Sequence, residues 1–201
     1  MPVRVVLAED DAALRAGLRL LLEAGGRVEV VAEVDPGPKL PAVVRAQWPD
    51  VVLVSDVSAL RGLDGGPPVA VLAASAVDDA VNRAIDLGAQ GFLLADAEPE
   101  SLVRAVLDLA AGGAVFDPRV AAALLPRLRG NAMPDNDLLR GLSTRERQVL
   151  DLIAGGRSNA AIATELGLTE ATVKSYVSAL LGKLGVRNRV QAALILRQMR
   201  P

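Results

Sequence analysis

Residues 159–176 read Asn159-Ala160-Ala161-Ile162-Ala163-Thr164-Glu165-Leu166-Gly167-Leu168-Thr169-Glu170-Ala171-Thr172-Val173-Lys174-Ser175-Tyr176. A helix-length segment, Asn159 to Leu166, stops at Gly167, the residue type best suited to the left-handed position just past a helix end. Two residues on, Thr169 has the side chain of an N-cap, and a second helix is expected from there to about Leu184. Val173, Val177, Leu180, Leu181 and Leu184 recur at helical spacing, while Lys174, Ser175, Ser178 and Lys183 fall on the other face. Two helices across a tight glycine turn describe either a helix-turn-helix or a plain helical hairpin, and the turn alone does not separate the two.

Charge separates them. From Leu138 onward there are ten Lys/Arg against four Asp/Glu, whereas residues 1–137 carry twelve against twenty. A chain with a net charge of −2 is therefore an acidic part joined to a basic part, the asymmetry expected when one domain meets phosphates. In a helix-turn-helix the second helix can enter the major groove of DNA.

Composition narrows the remaining possibilities. The 201 residues suffice for two small domains with separate cores. No apolar run approaches the roughly 18 residues of a membrane span, and Met1 to Leu7 lacks the regions of a signal peptide, so a cytoplasmic location is expected. Without Cys there is no disulfide framework or thiolate metal site, and without His no imidazole base or ligand. Only Trp48, Tyr176, Phe92 and Phe116 are aromatic, which argues against single-strand binding by base stacking.

The acidic part alternates strands and helices. Strands are expected at Val3 to Ala8, Val28 to Val34, Val51 to Ser55, Val69 to Ala73 and Gly91 to Leu94. Between them lie helices from Ala12 to Glu23 and Asp78 to Leu87, and a proline-broken one within Asp35 to Gln47. Pro99 opens a further helix that ends near Gly112-Gly113. Continuous apolar strands alternating with helices imply a doubly wound, parallel five-stranded sheet covered on both faces, flavodoxin-like in order. The functional crevice of such a sheet lies at the carboxyl ends of its strands, here Glu9, Asp10, Ser55, Asp56, Ala73, Ala74 and Ala95. Asp117-Pro118 is expected to start a short helix to about Arg129, and Gly130 to Gly141 to be a polar linker. The division that follows is 1–113, 114–141 and 142–201.

The order of these elements, with Leu142-Ser143-Thr144-Arg145-Glu146-Arg147, Ser158-Asn159-Ala160-Ala161-Ile162-Ala163, Thr172-Val173-Lys174-Ser175-Tyr176-Val177 and Lys183-Leu184-Gly185-Val186-Arg187-Asn188-Arg189, resembles a response regulator of the LuxR/NarL type. Ser143 and Glu146 also have capping-box spacing. The resemblance implies an amino-terminal receiver joined to a DNA-binding helix-turn-helix. In the receiver it implies an acidic pair for Mg²⁺, an aspartate ending the third strand as phosphoryl acceptor, a hydroxyl ending the fourth and a lysine ending the fifth. Glu9 and Asp10 match the acidic pair. The acceptor position falls on Ser55, with Asp56 one residue later; the hydroxyl position falls on Ala73 and the lysine position on Ala95.

Each departure has a physical cost. Nothing positive at 95 steadies a phosphate beside two carboxylates, and a one-residue slip on a strand turns the side chain to the other face. Only thirteen residues separate Ser55 from Val69. A parallel crossover normally needs a dozen or more, usually with a full helix. A missing or vestigial third helix is therefore expected, with one sheet face opened near the pocket.

The expectation is a sequence-specific regulator of transcription, not an enzyme, that binds double-stranded DNA as a homodimer, needs no cofactor and does not use aspartyl phosphorylation. The alternatives are phosphorylation at Asp56, or a receiver pocket lined by Ala73, Ala74 and Ala95 that takes a small-molecule or protein signal. By position and by the resemblance, Lys174, Ser175 and Ser178 face the groove, Lys174 suiting either guanine O6/N7 or a phosphate. Thr169, Thr172, Lys183, Arg187 and Arg189 are candidate backbone contacts. Thr169 serves equally as a cap alone, Arg187 and Arg189 as solvated loop residues. The helix Arg189 to Met199 suits either a dimer contact or packing within its own domain.

Overall fold

The computed structural model describes residues 1–63, 65–74, 78–120, 139 and 141–199. Six parallel strands, β1 (Val3–Ala8), β2 (Val28–Val34), β3 (Val51–Val54), β4 (Val69–Ala73), β5 (Gly91–Leu94) and β6 (Val115–Phe116), lie in the order β2-β1-β3-β4-β5-β6. The sequence foretold five; β6 is two residues long and pairs Gly91 with Val115 and Phe92 with Phe116 at the β5 edge. A strand this short, with half-buried residues, carries no periodicity to read.

Alternate strand residues serve opposite faces, as the pleat demands. Val5, Leu7, Leu53, Ala70, Leu72 and Leu93 pack against α1 (Ala12–Glu23) and α4 (Pro99–Ala110) through Leu18, Leu22, Leu102, Val106 and Leu109. Val6, Ala8, Val52, Val54, Val71 and Phe92 pack against α2 (Leu40–Gln47) and α3 (Asp78–Asp86) through Leu40, Val44, Val81, Ala84 and Ile85. Asp11 caps α1, accepting from the amides of Ala13 and Leu14 at 2.8 and 2.9 Å. Pro41 confines α2 to eight residues, as its prolines required.

The crossover from β3 to β4 holds one short 3-10 helix, Val57–Leu60, in place of a full α-helix. The expected opening of the sheet there does not occur. Leu60 and Leu63 are buried among Val52, Val54, Val69 and Val71, so two leucines cover the face that a whole helix was thought necessary to cover.

A separate core is built from α5 (Thr144–Ala154), α6 (Asn159–Leu166), α7 (Glu170–Leu184) and α8 (Arg189–Met199). Leu142, Val149, Leu150, Ile162, Val173, Leu180, Leu184 and Leu196 fill it. Residues 118–120 are helical; the rest of the helix expected to about Arg129, and the linker from Gly130 to Gly141 apart from positions 139 and 141, lie outside the described residues.

Candidate nucleic-acid interface

The four carboxy-terminal helices start and stop where local chemistry dictates. Ser143 and Glu146 close a capping box on α5, with the Glu146 carboxylate accepting from the Ser143 amide at 2.7 Å. Ser158 Oγ accepts from Ala161 N at 3.2 Å to begin α6. Gly167, at φ +64°, ends α6 in the left-handed region, and Leu168 N donates back to Ala163 O at 2.8 Å. Thr169 Oγ1 then accepts from Thr172 N at 3.2 Å and lies 2.8 Å from the Thr172 hydroxyl. Both threonines are thus occupied in capping α7, and the Thr169 side chain has the cap role foreseen as one of its two readings.

Burial orients α7. Val173, Leu180 and Leu184 are buried, Tyr176, Val177 and Leu181 pack partly on the same core, and Lys174, Ser175 and Ser178 are exposed. Ser175 Oγ donates to Ala171 O at 3.1 Å. Lys183, also expected at the backbone, pairs with the buried Glu146 at 2.8 Å. That contact, with the backbone and side-chain hydrogen bonds from Ser143, holds the Glu146 carboxyl down at about 2. Lys183 thus joins α7 to the start of α5, a role no local signal at either residue betrays.

Arg189 departs furthest from expectation. Only 6% exposed, it donates to Arg157 O and, at 3.4 Å, to Asn159 Oδ1. Burial lowers its pKa to about 10. It is neither a solvated loop residue nor a surface phosphate contact in this arrangement. Arg187 is exposed, and its backbone amide donates to Gln191 Oε1 at 2.8 Å.

The helices dock on the amino edge of the sheet, at the loops leading into its strands. Asn188, fully buried, donates from Nδ2 to Ala89 O at 2.9 Å and Ile85 O at 3.4 Å, and its Oδ1 accepts from Gln191 N at 2.8 Å. Gln191 Nε2 adds a bond to Ile85 O at 2.9 Å. These donors meet carbonyls in and just after the last turn of α3, where Ile85 O also accepts from Gly88 N at 3.0 Å. Asn159 N donates to Ala111 O at 3.1 Å, and Val190 packs on the α2/α3 side of the sheet core. Gly112, at φ +76°, admits this contact: a Cβ there would stand 2.1 Å from Asn159 Nδ2. Between the two parts lies a cavity of about 620 Å³, with Lys174, Ser178 and Arg187 on one wall and Pro49, Pro67, Pro68 and Gln90 on the other. Two of the three residues expected to face the groove, Lys174 and Ser178, thus line the seam.

The opposite, carboxyl edge carries the other predicted residues. Ser55 N donates to Ala8 O and Ala95 N to Ala73 O, each at 2.9 Å, so the strand ends lie side by side as foreseen. Glu9 is 3% exposed; burial raises its pKa first of all, and its carboxylate accepts from Asp11 N at 3.0 Å. Asp10 is exposed and also accepts from Asp11 N, at 3.1 Å. Asp56 is exposed and turned to the 3-10 helix, where it accepts from Ser58 N at 2.8 Å and from the Ser58 hydroxyl. Ala73 and Ala95 pack against opposite faces of the sheet core. The donor set does not fit Mg²⁺: one carboxylate is buried, the third-strand position is a serine, and no three His, Cys, Asp or Glu among the described residues gather as ligands. Beside Ala95, Asp96 is held by the Arg119 guanidinium at 2.8 and 2.9 Å, and Arg119 also pairs with Asp117 at 3.0 Å. That clamp went unread because its partners are 23 residues apart.

Comparison with known proteins bears on both parts. Residues 140–196 match the family of bacterial regulatory proteins, luxR family. The chain is similar to the DNA-binding transcriptional activator DevR/DosR of Mycobacterium tuberculosis, 37% identical over 98% of this chain and 95% of that protein. It is also similar to the nitrate/nitrite response regulator protein NarL of Escherichia coli, 32% identical over 99% of this chain and 97% of that one. Among solved structures, the response regulator ChrA of a heme-sensing two-component system aligns with a TM-score of 0.52 and 33% identity, over 99% of this chain and 98% of ChrA.

Proposed function

This chain belongs to the luxR family of bacterial regulatory proteins and has the receiver-plus-helix-turn-helix architecture of NarL-type response regulators, and we propose that it regulates transcription as a homodimer on double-stranded DNA without aspartyl phosphorylation. The observation that carries the DNA reading is α7 itself: its apolar side is sunk in the core while Lys174, Ser175 and Ser178 stand out from it. On this reading those three meet base edges, and Arg187 and the amino end of α7 meet phosphates. The functional division is 1–113 as receiver, 114–141 as connection and 142–201 as DNA-binding domain, with β6 and Val120 at the start of the connection packed into the receiver. The place of action is the cytoplasm; among the described residues no helix is long and apolar enough to cross a membrane.

Independence from phosphate rests on the carboxyl edge. A phosphoryl group at Asp56 would displace the cap of the 3-10 helix and find alanines where a hydroxyl and an ammonium are needed. Dimerisation rests on readout, since one helix spans too few base pairs for useful specificity, and two half-sites about one helical turn apart follow. The docked arrangement adds a condition. Lys174 and Ser178 also line the cavity whose other wall is the sheet edge, so on this reading the two parts separate when a duplex is seated on α7.

The test is a gel-shift titration against fragments selected from genomic DNA. Lys174→Ala is expected to lower specific affinity at least about tenfold, the loss of one good base or phosphate contact, with an unchanged melting temperature. Unchanged affinity would remove α7 from the groove.

A further inference from the structure

We propose that the cavity between the amino edge of the sheet and α7 is a binding site for a small organic anion, an aryl or alkyl phosphate or carboxylate, whose occupancy holds the chain closed and off DNA. The regulatory half rests on the DNA reading above; the binding half does not.

The cavity has the size and placement of a ligand site. Its volume of about 620 Å³ falls within the range of small-molecule pockets, and such pockets favour domain boundaries. Its walls are slightly more apolar than polar, the apolar share coming from Leu60, Leu63 and Leu87 on the sheet side and Val177 and Leu181 on α7. Among the described lining residues the cations Lys174, Arg187 and Arg189 face one carboxylate, Asp50, whose Oδ2 already accepts from Arg4 N at 2.9 Å; Arg187 has a partner of its own, so the charge open to a ligand is that of Lys174 and Arg189.

Arg189 is the second and independent observation. Its guanidinium is buried, and the oxygens it reaches, Arg157 O and Asn159 Oδ1, are neutral. A buried cation held, among the described residues, only by neutral acceptors keeps an uncompensated charge, and an anion in the adjoining space relieves it. Inorganic phosphate would satisfy the cations and leave the leucine walls wet. A neutral aromatic would do the reverse. An anion with an apolar body uses both. The logic extends to control, because Lys174 is a group expected to meet DNA. A small anion that occupies it in the closed form competes for the same charge and, by binding only that form, shifts the population toward it.

The experiment uses the full chain with phenyl phosphate, benzoate, inorganic phosphate and benzyl alcohol at constant ionic strength, to about 10 mM, a range that covers millimolar affinities. Trp48 is the sole tryptophan, 82% exposed, and precedes the cavity residues Pro49 and Asp50, so its emission reports the seam. Phenyl phosphate or benzoate is expected to give a saturable rise in melting temperature of about 3–5 °C at tenfold over Kd, with a matching change in Trp48 emission. Which of the two binds more tightly assigns the phosphate or the carboxylate. Inorganic phosphate and benzyl alcohol are expected to shift melting by less than about 1 °C at the same concentration. Ser178→Phe, which puts a ring into the cavity, is expected to abolish the shift. In gel shifts the bound anion is expected to weaken DNA binding by wild type but not by Asn188→Asp, in which the seam is opened.

No saturable shift with either organic anion, an equal shift with benzyl alcohol, or a shift that survives Ser178→Phe overturns the site. Saturable binding with undiminished DNA affinity overturns the control. A chain that binds the anion and never binds DNA sinks the DNA reading and leaves the site standing; the reverse result sinks the site alone.

Discussion

The two edges of the sheet differ in what they hold. At the carboxyl edge, where response regulators do their chemistry, Ala73 and Ala95 pack partly buried against the sheet core, Asp56 caps a 3-10 helix, and the Asp96 carboxylate is clamped by Arg119. At the amino edge, which has no chemistry of its own, Asn188 is fully buried and fully bonded, and Gly112 leaves room for one amide and no more. Function in a receiver is usually sought at the first edge. Here close complementarity sits at the second, which implies that what this sheet contributes is a docking surface for the reading head.

The comparison breaks most readily at Gly112. A valine there must adopt φ +76° and place a Cβ against Asn159 Nδ2, so the loop cannot keep both its own turn and the docked α6. Strain of this kind costs about 1–3 kcal/mol. The expected outcome for Gly112→Val is a separated pair of domains, seen as a larger radius of gyration by small-angle scattering, with tighter DNA binding. If the radius and DNA affinity both stay at wild-type values, the amino edge is not a lock.

Asn188→Asp sharpens the same point with a smaller effect. The new carboxylate can still accept from Gln191 N and cap α8, but it faces the carbonyls of Ile85 and Ala89 with no proton to give. Ala89 O loses its side-chain donor, worth about 1–3 kcal/mol, while Ile85 O keeps Gly88 N and Gln191 Nε2. Hydrogen exchange is expected to rise at the seam while the capped α8 stays protected. Exchange that rises first in α8 would mean that Asn188 acts as a cap and little else.

These two residues also show where sequence reading ends. The caps at Ser143, Ser158 and Thr169 and the turn at Gly167 were legible because each joins groups within a few residues, and local geometry fixes the residue type. The apolar strands were legible because burial on both faces leaves little but Val, Leu and Ala. Asn188 was legible only as a letter in a motif. Its partners are backbone carbonyls about a hundred residues away, and every residue has a carbonyl. Arg189 and Lys183 misled for the same reason: a cation in a basic segment reads as a phosphate contact until its neighbours are known. The closed sheet face over β3 and β4 was misjudged because helix length was taken as the measure of cover, when Leu60 and Leu63 suffice.

A third test separates the stability of the reading head from that of the seam. The Glu146 carboxyl lies at about 2 when folded against an ordinary 4.5, so the folded form binds fewer protons between those values. A depressed folded pKa means that the stabilisation is complete above about pH 4.5 and is lost as pH falls toward 2. Urea midpoints are expected to decline through that window. In Lys183→Met, which removes the largest cause of the depression, the decline is expected to be shallower. Equal slopes in wild type and variant would place the acid sensitivity elsewhere, with Asp96 and Asp117 beside Arg119 the next candidates, since that guanidinium lowers both.

The smallest effect is expected where the family's own logic would put the largest. Asp56→Asn removes the one aspartate at the third strand's end. The amide oxygen can still accept from Ser58 N, so the 3-10 helix keeps its cap and stability changes by no more than about 0.5 kcal/mol. DNA affinity is expected to match wild type, and acetyl phosphate with Mg²⁺ to leave the intact mass of both unchanged. A stable gain of one phosphoryl group in wild type and not in the variant would restore the carboxyl edge as the switch. In that case the seam at Asn188 would be its output, since Ile85 and Ala89 bound the turn after α3 and Phe92 lies only three residues beyond. Silence at Asp56 together with release at Gly112 would instead show that the docking surface works without the chemistry once needed to control it.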